Sequence, residues 1–196
     1  MRPWQILGEH AHAGPGLRPI VGRDAELARC AAWVRAGRAP GAGGLLLLRG
    51  DPGIGKSRLA EECLRQAASD GFATHRALVL DFSTGRGTEA VHALARSLAA
   101  HTAPVPAGRE QRVFLASLLD EALDDDARRL ASAMPDSVRR LGMRTALRAL
   151  AAAAAARQPQ LLLVEDLHWA DATVLDVLAD LAQQARGHAL LLLGTT

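Results

Sequence analysis

The sequence has little that would staple it, anchor it in a membrane or give it one dominant charge. Cysteine occurs twice, at Cys30 and Cys63. Two are too few for a disulfide scaffold or a self-sufficient zinc site. Both lie among helix-forming residues and read as buried free thiols. Long apolar runs are missing. Leu45–Leu48 and Leu190–Leu193 fall far short of the roughly 18–20 residues of a spanning helix. Met1-Arg2-Pro3-Trp4-Gln5 lacks the apolar core of a secretory signal. These absences lead to an expected cytoplasmic setting with no membrane partner. Excess charge of one sign is missing too. Lys and Arg number 23 against 21 Asp and Glu, a formal net charge of +2. A pI near 8.9 therefore does not by itself imply a nucleic-acid partner. Aromatic residues make up only 3%. Arg140, Arg144 and Arg148 form a stripe on a predicted helix, but nothing aromatic interleaves with it, so it reads as a solvated face. Lysine is almost absent. Of the 23 Lys and Arg residues only Lys56 is a lysine, which singles out a position suited to a compact ammonium.

What is present fits one ordinary globular domain. The 196 residues are 49% hydrophobic and 22% charged, enough to bury a sizeable core. Residues 1–19 carry Gly8, Gly14, Pro15, Gly16 and Pro19 without periodicity and read as a lead-in segment. The domain is expected over 20–196. Asp24 is placed to cap a first helix, with Leu27, Ala31 and Val34 at helical spacing. Gly43-Gly44 leads into Leu45–Leu48, and four leucines after glycines suit a strand buried on both faces of a parallel sheet. A helix is expected over 56–68, a second buried strand around Ala77-Leu78-Val79-Leu80 within 73–82, and a helix over 88–100. A long helical stretch over 110–157 is broken near Asp124–Asp126, which reads as a polar loop or helix cap, and at Pro135. Gln160–Val164 is a third strand, Asp171 caps a helix over 172–186, and 189–194 is a fourth strand. Strands alternating with helices argue for an α/β fold with a mainly parallel sheet.

Between the first strand and its helix stands Gly50-Asp51-Pro52-Gly53-Ile54-Gly55-Lys56-Ser57. It matches the phosphate-cradling pattern G-x-x-x-x-G-K-S throughout. Glycines let the backbone turn its N–H groups onto phosphate oxygens, at a helix N-terminus whose dipole favours an anion. Lys56 is placed to reach the β- and γ-phosphates, and the Ser57 hydroxyl to ligate Mg²⁺. Such a site also needs carboxylates at the C-terminal end of a neighbouring strand. Leu161-Leu162-Leu163-Val164-Glu165-Asp166 has that form. Glu165 is assigned to Mg²⁺ through water, and Asp166 to orienting or activating the attacking water.

Three motifs carry a family resemblance: Ile20-Val21-Gly22-Arg23-Asp24-Ala25-Glu26, the phosphate loop, and Glu165-Asp166-Leu167-His168-Trp169-Ala170-Asp171. The chain resembles the AAA-like ATPase domains of STAND-class signalling NTPases. It is most similar to the N-terminal nucleotide-binding module of large ATP-binding LuxR-type transcriptional regulators. The resemblance covers Ile20 to Thr196 and implies a three-layer P-loop NTPase fold. It implies ATP or ADP with Mg²⁺ as ligands. It also implies a nucleotide-binding set of Arg23, Gly50, Asp51, Pro52, Gly53, Ile54, Gly55, Lys56, Ser57 and Arg58, with Lys56, Glu165 and Asp166 as the catalytic set. Trp169 is expected to pack, and His168 is not expected to act as a base. The acids stand as Glu then Asp, where many AAA-type ATPases have Asp then Glu. Against the family pattern the chain looks truncated, which would leave the Leu45–Arg49 strand with an unpaired edge open to association. The expected function is a regulatory nucleotide switch with slow ATP hydrolysis, missing its C-terminal domains and not binding DNA itself. The alternative is an AAA-like motor or loader with real turnover.

Overall fold

A computed structural model describes residues 20–39, 41–80, 88–102, 105 and 108–196. The lead-in lies outside the described residues. Four strands form one parallel sheet in the order β1-β4-β3-β2, with β1 Gly44–Leu48, β2 Ala73–Leu78, β3 Gln160–Glu165 and β4 Leu190–Thr195. Helices α1 (Asp24–Ala36) and α2 (Lys56–Ser69) cover one face. The other carries α3 (Glu89–Ala100), α4 (Arg109–Leu119), α6 (Asp136–Arg157) and α7 (Ala172–Ala185), with α5 (Asp125–Ala133) packed on α4. This is the expected three-layer α/β arrangement.

The two cores follow from strand periodicity, because successive side chains point to opposite faces. Leu161, Leu163, Leu191 and Leu193 meet Cys30, Val34, Leu59, Ala60, Cys63 and Ala67 of α1 and α2. Leu162, Val164, Leu190 and Leu192 meet α3, α6 and α7. The central strands β3 and β4 are buried along their whole length. The outer strands are not, which corrects two expectations. In β1, Leu45 and Leu47 remain 48% and 51% exposed, because β1 is outermost and pairs only with β4 among the described residues. Its free edge was the expected one. In β2, Ala73, His75 and Ala77 are buried while Arg76 and Leu78 face outward. The strand is half-buried and ends at Leu78, and among the described residues it too pairs with one neighbour. Gly43 is where only glycine fits. A Cβ there would lie 2.1 Å from the Ala185 carbonyl oxygen and 2.4 Å from that of Leu190.

Helix ends follow local chemistry, with one correction. Asp171 accepts from Val174 N at 2.8 Å and Asp124 from Ala127 N at 2.7 Å, as side-chain caps should. Asp24 does not cap α1. It is the first helical residue, and Arg23 occupies the cap position without a side-chain capping bond. The negative charge of Asp24 still suits a helix N-terminus. Of the arginine stripe, Arg144 is paired with Asp180 of α7 at 2.5 Å, so it ties two helices together. No helix among the described residues is long and apolar enough to cross a membrane.

One polar group sits inside the larger core. His75 Nε2 lies 2.7 Å from Gln160 Oε1 and Nδ1 lies 2.7 Å from Ser97 Oγ. The Gln160 amide nitrogen donates to the Ala154 and Gln158 carbonyls, so its oxygen accepts from His75. That sets the proton on Nε2 and leaves Nδ1 to accept from Ser97. Burial holds the imidazole pKa below its ordinary 6.5, opposed by the Gln160 bond and helped by nearby His101. The unfolded chain therefore takes up this proton at higher pH than the folded one. The stability from keeping His75 neutral is complete above about pH 6.5 and declines as pH falls below it. Urea midpoints measured at about pH 7.5 and about pH 5.5 should show the fold weaker at the lower value. His75→Asn should be less stable at the higher pH and lose part of that pH dependence. Equal pH dependence in both proteins would contradict this account.

Candidate functional site

The carboxyl edge of the parallel sheet brings the two separate motifs together. The loop Gly50–Ser57 leaves β1 and enters α2, while Glu165 and Asp166 leave β3. Strand β4 lies between those two strands and joins them. Gly50 N donates to the Thr196 carbonyl at 3.3 Å, Thr196 N donates to the Leu48 carbonyl at 3.0 Å, and Asp166 N donates to Thr195 Oγ1 at 3.0 Å.

The loop is built as its glycines require. Gly53 and Gly55 have φ of 79° and 93°, in the left-handed region that side chains avoid. A Cβ at either would meet nothing within 4 Å, so the space over the loop is open. Asp51, Pro52, Gly53, Ile54, Gly55 and Ser57 are all exposed. Gly55 is the cap residue of α2 and contributes no side chain, so the first-turn N–H groups look out from the helix end. Lys56 Nζ donates to the Gly50 carbonyl at 2.7 Å and the Asp51 carbonyl at 3.1 Å. The ammonium thus lies across the loop, held among the described residues by neutral carbonyls. Arg58 turns instead to Glu61 of its own helix, at 3.6 Å.

Arg23 reaches the same loop from the start of α1. Its Nη2 donates to the Ile54 carbonyl at 2.6 Å and its Nη1 lies 3.3 Å from Glu26. The structure therefore places Arg23 against the loop backbone. Val21 beside it is almost wholly exposed.

The acidic pair divides by environment. Glu165 is only 3% exposed and its Oε2 accepts from Arg76 Nε at 2.5 Å. Arg76 also lies 3.7 Å from Glu61 on α2, so one guanidinium spans β2, β3 and α2. Charge-assisted bonding of this kind holds a buried carboxylate in place. Asp166 is partly exposed and adopts φ 58°, ψ 44°, a left-handed conformation that costs a non-glycine residue energy. The Thr195 bond to its amide helps hold that geometry. The next residues, Leu167–Trp169, make a single 3-10 turn. Leu167 packs inward, but Trp169 stays 43% exposed with its ring 5.0 Å from that of His168. The expected packing of Trp169 is thus only partial, because the short turn cannot carry its indole back over the core.

Sequence reasoning missed Arg76 and Thr195. Thr195 is fully buried and closes four leucines and a glycine, so a polar residue at the carboxyl end of an apolar strand was the signal available. Arg76 had none, because its role depends on the pairing of β2 with β3. The donor set suits a phosphate with Mg²⁺: an exposed hydroxyl at Ser57, an ammonium on weak partners, open N–H groups, and carboxylates at the end of β3, which β4 separates from the loop's own strand.

A family model described as AAA ATPase domain matches residues 19–193. An uncharacterized protein of Rhizobium meliloti (strain 1021) is 28% identical over 194 aligned positions, which cover 91% of this chain and 18% of that relative. The chain spans less than a fifth of the relative's length.

Replacing Thr195 by Val removes the acceptor for the Asp166 amide while keeping the shape of the side chain. The expected cost is about 1–3 kcal/mol, read from denaturant midpoints. Amide exchange at Asp166 should quicken along with it. A variant as stable as the parent would mean that the bond holds nothing in place.

Proposed function

The chain belongs to the AAA ATPase domain family, and from that premise we propose that it is a nucleotide-state switch. In this reading it binds ATP or ADP with Mg²⁺, hydrolyses slowly and changes its contacts with partner segments. The single observation that carries it is Lys56, whose ammonium rests on two carbonyls of an open loop. Neutral carbonyls are weaker partners for an ammonium than phosphate oxygens. Phosphate entry therefore exchanges poor contacts for good ones without breaking an ion pair.

Each residue then has a defined part. The N–H groups of Gly53 to Ser57 and Lys56 Nζ bind phosphate oxygens. Ser57 Oγ, with Glu165 through water, would hold Mg²⁺, and a bound Mg²⁺ supplies charge neutralisation on the phosphate. Arg76 keeps the Glu165 carboxylate aimed. Asp166 orients the attacking water and accepts its proton. Arg23 supports the loop at Ile54 and adds positive charge beside the nucleotide. Arg58, committed to Glu61, contributes at the edge of the site.

The switch reading is preferred to a motor for a local reason. Asp166 is continuous with the 3-10 turn that displays His168 and Trp169. A change at the acid would move an exposed aromatic pair by one or two residues of chain, which makes it a natural readout. The shorter Asp at the second acidic position fits slow turnover. The resemblance to LuxR-type regulators supplies the biological setting: a cytoplasmic regulatory module acting through further domains or a second copy, with no DNA contact of its own.

A thermal melt tests the binding. At ligand about 100-fold above Kd, Mg-ATP or Mg-ADP should add about 2.7 kcal/mol. For a chain of this size that is on the order of 5–11 °C in midpoint. Lys56→Ala should abolish the shift. Asp166→Asn should keep it and lose the remaining turnover. Several turnovers per second in the parent would replace the switch by the motor reading, and an unshifted melt would remove both.

A further inference from the structure

Two thiols that the phosphate site does not use meet on its flank. Cys30 of α1 and Cys63 of α2 are both free and buried. They belong to one apolar cluster and line one cavity of about 270 Å³, together with Leu27, Ala31, Glu62 and Gln66. Each thiol is the strongest influence on the acidity of the other. A lone buried cysteine serves as a small apolar side chain. Two facing each other across a helix interface have a chemistry of their own, and the cavity gives a small molecule a way to both.

We propose that Cys30 and Cys63 are a modification site: a dithiol that a hydroperoxide converts to an intramolecular disulfide linking α1 to α2. The Cys30 thiolate attacks one peroxide oxygen and the O–O bond breaks. The leaving hydroxide takes up the proton that Cys30 released and departs as water, leaving a sulfenic acid on Cys30. The Cys63 sulfur then attacks the Cys30 sulfur. The S–O bond breaks, the S–S bond forms, and a second water leaves with the Cys63 proton. Both thiols are oxidised and the peroxide is reduced to two waters, so no further reactant is needed.

The order of attack follows from exposure and charge. Cys30 is the less buried of the two, 4% exposed against 1% for Cys63, and it follows Arg29 in α1. The neighbouring Cys63 and then Arg29 hold the Cys30 thiol below its ordinary pKa, with burial and Glu26 opposing, whereas Cys30 and burial push Cys63 far up. Cys30 is the attacking thiol and Cys63 the resolving one. The link would join two elements of the phosphate site. Arg23 at the head of α1 holds the Ile54 carbonyl, and α2 begins at Lys56.

The test treats the folded full chain with hydrogen peroxide, quenches it, and alkylates it in denaturant. Intact mass should fall by two hydrogens. Both alkylation sites should be lost, and a linked peptide pair holding Cys30 and Cys63 should appear. Dithiothreitol should restore both thiols. In Cys63→Ser the same treatment should leave a dimedone-reactive sulfenic acid on Cys30. In Cys30→Ser, labelling of Cys63 should be several-fold lower. Two thiols still alkylated in the treated parent, or disulfides found only between chains, would overturn the proposal. Equal dimedone labelling in the two variants would overturn the assignment of Cys30 as the attacking thiol.

Discussion

The candidate site depends on the position of β4 between β1 and β3. The phosphate loop and the acidic pair are more than a hundred residues apart in the chain, and neither touches the other through its own strand. Strand β4 pairs with both, in parallel, so that all three carboxyl ends finish at one edge. Its last two residues then bond outward in both directions. Thr196 exchanges backbone hydrogen bonds with Gly50 and Leu48, and Thr195 receives the amide of Asp166. Parallel strands cannot be joined by tight turns, so each return passes through a helix. One of those helices, α2, thereby brings its N-terminus to the same edge. The anion site is thus a product of sheet topology as much as of the loop.

Around that edge, charge is distributed unevenly. Among the described residues Lys56 rests on carbonyls, which it can exchange readily. Glu165 is buried and locked by Arg76. Asp166 is more open, backbone-strained, and followed by an exposed aromatic pair. A rigid acid and a poised acid side by side are what a metal ligand and a water-orienting group would each require. The strain at Asp166 is local to the place where a nucleotide-dependent change would begin.

The interior has its own polar and sulfur chemistry away from this edge. The His75, Ser97 and Gln160 network occupies the far end of the sheet, where β3 starts, and satisfies every ring nitrogen by a definite donor or acceptor. The dithiol of α1 and α2 lies on the opposite face of the sheet, beneath the helices that carry Arg23 and the phosphate loop. The same helix pair therefore holds the site from below and offers a covalent tie between its two halves.

Much of this was legible in the residues because it is written locally. A phosphate loop needs glycines at left-handed positions, one lysine and one hydroxyl at contiguous places, and the backbone of Gly53 and Gly55 follows from that. Apolar runs of four leucines determined strands, and Asp124 and Asp171 determined helix starts, because capping acts over three residues. What local pattern could not decide was the neighbour of each strand. Leu45 and Leu47 read as fully buried, yet β1 lies at the edge of the sheet. The Arg76 to Glu165 pair exists only because β2 lies beside β3. Trp169 reads as a packing residue, yet on its short turn it stays 43% exposed. Cys30 and Cys63 each read as an ordinary buried thiol, and only the packing of α1 on α2 makes them a pair. Composition and short-range spacing act within a few residues of chain. Edge, neighbour and pair are properties of the assembled sheet, and the tertiary structure alone decided them.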